Sequence, residues 1–587
     1  MKDKWLVAAK KADFNAWAEE FGISPVIARI IRNREITQKE DVRKFLYGDR
    51  KDLYSPWLLK DMDLAIKVIT DAKQKGLRIR VIGDYDVDGI CASYILTKGL
   101  ELLGASVDTA IPHRIHDGYG LNDQLIRDAA EDGIGLIITC DNGIAAADQI
   151  KLARELGIGV VVTDHHEIPY VMENGEKKAC LPPALAVVDP GREDDQYPLR
   201  GICGAAIAYK VIQALSESFP ILSEGIEELL EFAAFATVCD VMELRDENRV
   251  LVKEGIKCLR KTKNQGLKAL IDVNGLEQES ISAYHLGFVL GPCLNATGRL
   301  DTAQKALSLL RCTDRFTAVE AARELKDLND SRKNLTSEGV LKAIDQISAQ
   351  QMEGDKVYVI YLPEVHESLA GIIAGRIREH FCHPVFVLTK GEDGIKGSGR
   401  SIEAYHMYDA MTEVKHLFTK YGGHKMAAGL SMADEEDVKR LRSELNMRCK
   451  LTNDDFVPVI HIDVPMPIGY ASMELAKQLE LLEPFGVGNP KPLFAQKGIC
   501  FLSGVAFGKK KQYARFRIRT PEGEIGEMIY FGEPEKFVAA LDEKYGVGSG
   551  QKLFAEGGEF KMDVVYQLGR NTYKGRDELQ FIIQSFC

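Results

Sequence analysis

The sequence has no C-x-x-C pair, although 12 cysteines are scattered from Cys91 to Cys587. That excludes paired-thiolate zinc and redox motifs, and a chain of 587 residues is not the short scaffold that a disulfide framework serves. No apolar run comes near the roughly 18 residues needed to cross a bilayer. The start, Met1 to Lys11, holds only a brief apolar stretch from Trp5 to Ala9, far short of a signal-peptide core. A cytoplasmic chain without a membrane partner is expected. Repeats and low-complexity tracts are absent, and so is any excess of positive charge, the net charge being −12. Nucleic-acid binding, if present, must therefore rest on local patches.

What is present is ordinary globular sequence, 45% hydrophobic and 28% charged, long enough for about three to five domains. Residues 1–60 read as a polar helical extension with no recognisable chemistry. From Arg78 short β-branched runs alternate with helical stretches: Arg80 to Ile82, Val107 to Ile111, Leu136 to Thr139, Gly159 to Val162 and Leu185 to Val188. This alternation predicts an α/β domain with a parallel sheet over residues 61–270. A charged helical connector follows (271–350), then a smaller α/β unit (351–450). The last section, 455–587, has short strands and Gly/Pro/Asn turns, and is expected to form a β-barrel.

Each early strand runs into polar residues. The first ends in Asp84-Tyr-Asp86-Val-Asp88-Gly89, the second in His113-Arg114 followed by Gly118-Tyr-Gly120, the third in Cys140-Asp141-Asn142, the fourth in Asp164-His165-His166, and the fifth in Asp189-Pro190. Any one of these could be a turn former or a helix cap. As a set they would converge beyond the carboxyl ends of a parallel sheet, where ligands bind in such folds. Two carboxylates about 4 Å apart repel by roughly 4 kcal/mol at an effective dielectric near 20. Cations or protons must neutralise such a cluster, and the adjacent imidazoles favour a divalent metal site. Oxygen and imidazole donors without thiolates suit Mn²⁺ or Mg²⁺, and so many of them suit two ions.

The successive motifs Asp84-Tyr-Asp-Val-Asp-Gly, Asp141, Asp164-His-His and Val238-Cys-Asp240 resemble those of the DHH phosphoesterase superfamily. The resemblance implies that Asp86, Asp88, Asp141, His165 and Asp240 hold two divalent cations. Asp84 and Asp164 would ligate or support them, and His166 would face the scissile phosphate, so that Asp84, Asp164 and His166 are the expected catalytic groups. Two departures stand out: Cys140 and Asn142 flank Asp141 where many relatives have Val and Cys, and Asp189-Pro190 replaces a common Asn-Pro.

Later motifs point to the RecJ branch. Gly291-Pro-Cys-Leu-Asn295-Ala-Thr-Gly298-Arg299-Leu300, with Asn329 and Arg332-Lys333 on the connector, is similar to a RecJ pattern for DNA and phosphate contacts. His366, Gly371 to Arg376, Gly397-Ser398-Gly-Arg400-Ser401 and Gly422-Gly-His424 to Gly429 resemble the DHH-associated domain, which grips substrate across a cleft. On this basis His113, Arg114, Asn295, Arg299, His366, Ser398, Arg400 and His424 are expected to contact nucleic acid. Leu482-Glu-Pro-Phe485-Gly-Val-Gly-Asn489-Pro is similar to a signature of the RecJ C-terminal half.

In the last section, period-two spacing puts Tyr513, Arg515, Arg517 and Arg519 on one strand face with Phe516 and Ile518 on the other. That is the layout of an OB fold that binds single strands, although a surface strand with solvated arginines would read the same way. Residues 455–587 hold 16 Lys/Arg against 17 Asp/Glu, so nearly all of the acidity lies elsewhere. The resemblance implies a monomeric exonuclease that degrades single-stranded DNA 5′→3′ to mononucleotides in repair and recombination. A helicase and a single-strand-binding protein would be its further partners. The rivals are an oligoribonuclease or cyclic-dinucleotide phosphodiesterase, which usually lack the section after residue 455, and an inactive DNA-binding scaffold, which would have lost metal ligands.

Overall fold

A computed structural model describes residues 3–114, 120–173, 176–222, 225–391, 394–573 and 576–587. Gly118 and Tyr119 of the motif after the second strand lie outside the described residues. The chain folds as two compact units. One comprises Tyr54–Met242 and Glu254–Val457; the other comprises Met1–Leu53, Glu243–Lys253 and Pro458–Cys587.

The first of these contains a five-stranded, fully parallel sheet: β1 (Arg78–Gly83), β2 (Val107–Ala110), β3 (Ile134–Cys140), β4 (Gly159–Thr163) and β5 (Ala186–Val188), in the order β2-β1-β3-β4-β5. The β-branched runs of β1, β3, β4 and β5 are mostly buried, as strands covered on both faces must be, while the edge strand β2 is half-buried. Helix α1 (Val87–Leu102) follows β1. Its residues Val87 to Thr97 are all buried, which explains why no amphipathic stripe marks it in the sequence. Register places the last residues of four strands in a row: Gly83 beside Cys140, Cys140 beside Thr163, and Thr163 beside Val188. The next residue of each is an aspartate: Asp84, Asp141, Asp164 and Asp189. Strand order reverses between β1 and β3, so this row crosses the switch point where ligands of such sheets bind.

Helices α2 (Gly204–Ser218) and α3 (Ile226–Cys239) pack against α1, and α3 delivers Asp240 at its end. Helix α4 (Gly291–Leu300) lies in the first half of the connector. The connector is dominated by the 35-residue α5 (Arg315–Ala349), whose buried residues Ala318, Ala322, Leu325, Asn329, Thr336, Gly339, Ala343 and Ile347 form one helical stripe. Beyond it lies a mixed five-stranded sheet of β6 (Tyr358–Tyr361), β7 (Val385–Gly391), β8 (Gly394–Arg400), β9 (Lys420–Gly423) and β10 (Ala427–Met432), ordered β9-β10-β8-β7-β6. Helix α6 (Glu367–Phe381) lies between β6 and β7 and packs on α5.

In the other unit, β11 (Phe494–Phe507), β12 (Tyr513–Arg519), β13 (Ile525–Tyr530), β14 (Phe560–Tyr573) and β15 (Arg576–Phe586) form a closed five-stranded barrel, because β11 pairs with both β12 and β14. The first 53 residues share its core: Ile27, Ile30, Ile31, Val42 and Phe45 cluster with Phe494, Phe501, Phe516 and Tyr566. The Leu482–Pro490 signature fastens them together. Arg249, 1% exposed, donates to the carbonyls of Phe45, Leu481, Leu482, Glu483 and Pro484 at 2.8–3.3 Å. Asn489 donates to Leu482 and Pro484, and Arg34 pairs with Asp463 at 2.6 Å.

Candidate functional site

The strand-end aspartates and the residues that follow them build one cluster. Asp86 caps α1, its Oδ1 accepting from the N–H groups of Asp88 (2.8 Å) and Gly89 (3.2 Å). Asp88 is buried and accepts from Gly204 N (2.6 Å) and Ala205 N (2.7 Å) at the start of α2, a favourable place for a carboxylate. A Cβ at Gly204 would stand 2.7 Å from that of Asp141, so only glycine lets this helix reach the cluster. Asp141 itself adopts φ 60° at the strand-to-loop corner.

His165 Nε2 lies at the centre, 3.0 Å from Asp141 Oδ1, 3.5 Å from Asp88 Oδ2 and 3.7 Å from Asp240 Oδ2. His166 Nδ1 is 2.8 Å from Asp164 Oδ1, and its side chain is 42% exposed. Asp164 spends both oxygens locally: Oδ1 accepts from the N–H groups of His165 and His166, and Oδ2 from Ile144 N. It orients the two histidines and has little left for a metal.

Donor atoms of three trios lie within 4.8 Å of one another: Asp84, Asp86 and Asp141; Asp88, His165 and Asp240; and Asp141, His165 and His166. Asp141 and His165 are each shared by two trios, as two adjacent cation sites would require. Among the described residues, Asp84 Oδ1, Asp240 Oδ2 and Asp189 Oδ2 are buried without a hydrogen-bond partner. Such orphans are costly unless something occupies the site. Burial first, and the charge of Asp86 second, push Asp84 up to about 8. Burial with Asp88 and Asp86 pushes Asp240 up to about 8, and Asp86 and Asp141 rise for the same two reasons. Asp189 is pushed up to about 7, chiefly by burial. Burial alone would lower the His166 imidazole, but its bond to Asp164 and that carboxylate's charge raise it to about 9.

The residues present fit divalent cations. Every donor is carboxylate oxygen or imidazole nitrogen, and the neighbouring Cys140, Cys203 and Cys239 are held as thiols because burial raises them far above their ordinary range. Mn²⁺ and Mg²⁺ suit this set better than a thiophilic ion.

Around the cluster runs a set of arginines. Asn295 Oδ1 accepts from Val87 N, pinning α4 to the Asp84–Asp88 loop. One turn on, Arg299 donates to Ser368 O at 2.8 Å, and Ser368 Oγ returns a bond to Arg299 O. The Arg400 Nη2 atom would lie 2.8 Å from a Cβ at Gly371, and Ser398 Oγ 3.2 Å from it, so the absent side chain there makes their space. His366 Nδ1 meets Ser368 Oγ at 2.7 Å. Arg114 lies over the Tyr85 ring, 4.7 Å from its centre, and His113 sits beside it at the end of β2. Arg332 is held by Asn329 Oδ1 at 3.1 Å. Among the described residues, Arg299, Arg332 and Arg400 have no carboxylate partner. Burial lowers all three, Arg299 to about 10 with Arg114 and Arg332 adding repulsion. A clustered, under-neutralised set of this kind is suited to a polyanion.

The structure thus brings together every sequence-predicted metal and catalytic residue, and sets Asn295, Arg299, His366, Ser398, Arg400 and His424 within the same unit. The sequence assigned no role to Tyr85 or to Glu167, which pairs with His424 at 3.6 Å. Tyr85 stands inside an acidic motif and Glu167 just after one, so nothing in composition separated them from loop residues. Tyr513, Arg515, Arg517 and Arg519 belong to the other unit, on β12. There the expected alternation holds: Arg515 and Arg517 are exposed, while Ala514, Phe516 and Ile518 are buried. Tyr513 packs with Phe507 and Phe531, and Arg519 is engaged by Glu559 at 2.7 Å.

Comparison with known proteins matches residues 78–237 to the DHH family, N-terminal domain, residues 354–451 to the DHHA1 domain, and residues 462–585 to the RecJ OB domain. The chain is 34% identical to the single-stranded-DNA-specific exonuclease RecJ of Bacillus subtilis, over 99% of this chain and 70% of that protein. It is 33% identical to the protein of the same name from Escherichia coli, over 96% of each. Its fold matches the crystal structure of RecJ in complex with Mn²⁺ from Thermus thermophilus, with a TM-score of 0.79 and 26% identity, covering 100% of this chain and 79% of that one. Among the described residues, no helix is long and apolar enough to cross a membrane.

Proposed function

The chain belongs to the RecJ family of DHH phosphoesterases, and from that premise we propose that it is a metal-dependent exonuclease that removes mononucleotides from the 5′ end of single-stranded DNA. The observation that carries this reading is His165 Nε2 within 3.0–3.7 Å of Asp88, Asp141 and Asp240, beside buried carboxylate oxygens that have no other partner. An inactive scaffold would have no reason to keep such a cluster, and the barrel is a feature that the shorter oligoribonuclease-type relatives usually lack.

Asp86, Asp88, Asp141, His165 and Asp240 would hold two divalent cations, Mn²⁺ or Mg²⁺, with Asp84 beside them. When bound, these supply charge neutralisation at the phosphate and a water acidic enough to attack near neutral pH. The chain's own groups do the rest. Asp164 keeps His166 protonated and fixes its aim, and the exposed edge of the ring donates to the scissile phosphate. Arg299, Ser398 and Arg400 grip the terminal phosphate and set which bond is presented, an entropic contribution that needs no side-chain nucleophile. Arg114, His113, Asn295, His366 and His424 line the path. On the barrel, Tyr513, Arg515 and Arg517 guide the strand by stacking and backbone attraction, with Arg519 adding charge once Glu559 releases it. The chain acts as a monomer in this scheme, with a helicase supplying single strands and a single-strand-binding protein competing for them.

Single-stranded DNA labelled at either the 5′ or the 3′ end, incubated with Mn²⁺ or EDTA, tests the proposal. Immediate release of labelled mononucleotide from the 5′ label alone, lost with EDTA and in His165→Ala, is the expected result. Early mononucleotide release from the 3′ label would reverse the assigned polarity. DNA binding without any cleavage would restore the scaffold reading.

A further inference from the structure

We infer that Glu167 is an electrostatic gate on the substrate cleft: in the free enzyme its carboxylate occupies His424, and incoming DNA phosphate must displace it. The inference rests on the proposed function and goes beyond it, because it assigns a residue that works against binding.

His424 sits at the tip of the turn between β9 and β10, and the backbone of that turn is fixed from three sides. His424 N donates to Ala427 O at 2.8 Å, Ser401 N to Met426 O at 2.9 Å, and Met407 N to Lys425 O at 3.0 Å. Lys425 is further tied to Glu403 at 2.9 Å. In the loop after β4, Glu167 follows directly on His165 and His166, whose N–H groups are both held by Asp164 Oδ1. Two anchored backbones therefore bring Nδ1 of His424 within 3.6 Å of Oε1 of Glu167. Both side chains are largely exposed, 69% and 85%, so neither helps to pack a core, and their meeting serves the cleft rather than the fold.

Charge explains the direction of the effect. Arg114, Arg299, Arg332 and Arg400 of the same unit attract a polyanion, whereas Glu167 presents a carboxylate at His424 itself. A phosphate approaching His424 meets like charge until Glu167 swings away. The cost of breaking the pair and the repulsion itself both weaken binding of the strand, and each is on the scale of a solvent-exposed ion pair. Such a brake lets a strand be released and advanced after each cut, where an unopposed cationic cleft would hold it.

The test measures KM and kcat on a 5′-phosphorylated single-stranded oligonucleotide, and Kd for the same strand by fluorescence anisotropy in EDTA, for wild type, Glu167→Gln, His424→Gln and the double variant. Glu167→Gln is expected to lower both KM and Kd about three- to six-fold, with the gap to wild type narrowing as salt is raised. In the His424→Gln background the same change should have less than half that effect. An unchanged or raised Kd in Glu167→Gln would overturn the inference, and so would an equal effect with and without His424. Wild-type turnover reports separately on the exonuclease assignment, so failure of the gate and failure of the function are distinguishable.

Discussion

The buried arginines of the barrel unit and the half-buried arginines around the acidic cluster are treated in opposite ways. In the barrel unit, Arg249 is saturated by five backbone carbonyls and Arg34 by Asp463 and the Pro490 carbonyl. Around the acidic cluster, Arg299 bonds one carbonyl and Arg400 its neighbour's, and among the described residues neither meets a carboxylate. The carboxylates repeat the contrast: Asp463 is fully paired, whereas among the described residues Asp84 and Asp240 each keep a buried oxygen with no hydrogen-bond partner. A charge whose donors and acceptors are all used belongs to the fold. One left open in a buried place has been left open for a ligand.

The contrast breaks most sharply at the metal cluster. His165→Ala and Asp141→Asn are expected to cut hydrolysis by about 10³-fold or more, on the scale of losing a main catalytic group, while leaving thermal unfolding of the metal-free protein unchanged or slightly improved. A large loss of stability in either would make the cluster structural. Arg249→Ala should do the reverse. Leaving several buried carbonyls without a donor costs about 3 kcal/mol or more, read as an early unfolding transition of the barrel unit in calorimetry. Next in size, Arg299→Ala, Ser398→Ala and Arg400→Ala should each lower kcat/KM on 5′-phosphorylated strands about 10- to 100-fold, and 5′-hydroxyl strands much less. Equal losses on both substrates would remove these residues from the terminal-phosphate site. On the barrel, Arg517→Ala should weaken single-strand binding only a few-fold and reduce the salt slope by about one.

A separate effect, on stability against pH, concerns Glu231, which burial pushes up to about 8 although Thr262 donates to it. The folded chain keeps its proton between pH 4.5 and 8, where the unfolded chain has released it. Stability from this group is therefore full at low pH and declines as pH rises through that window. Glu231→Gln should flatten the slope of Tm against pH there, and an unchanged slope would mean that Glu231 is ionised in the fold.

The parallel sheet and the acidic cluster were legible because strand-end aspartates and histidines carry their signal locally, in short motifs with fixed order. The barrel face was legible too, since Arg515, Phe516, Arg517 and Ile518 alternate with period two. What stayed hidden depends on contacts between distant segments. Nothing in residues 1–53 reveals that Ile27 and Phe45 complete the barrel core, nor that Arg249 would be spent on Leu482 to Pro484. The Leu482–Pro490 signature could be matched but not explained until its carbonyls met that guanidinium. The spent oxygens of Asp164 were likewise unreadable, because the Ile144 N–H that takes one of them comes from another strand's loop.

The most direct measurement of the central claim is Mn²⁺ binding to the purified chain by calorimetry, followed through His165→Ala and Asp240→Asn. Two Mn²⁺ ions per chain, with at least one lost in each variant and the fold retained, are predicted. No saturable Mn²⁺ binding, or binding unaltered by both substitutions, would contradict the account.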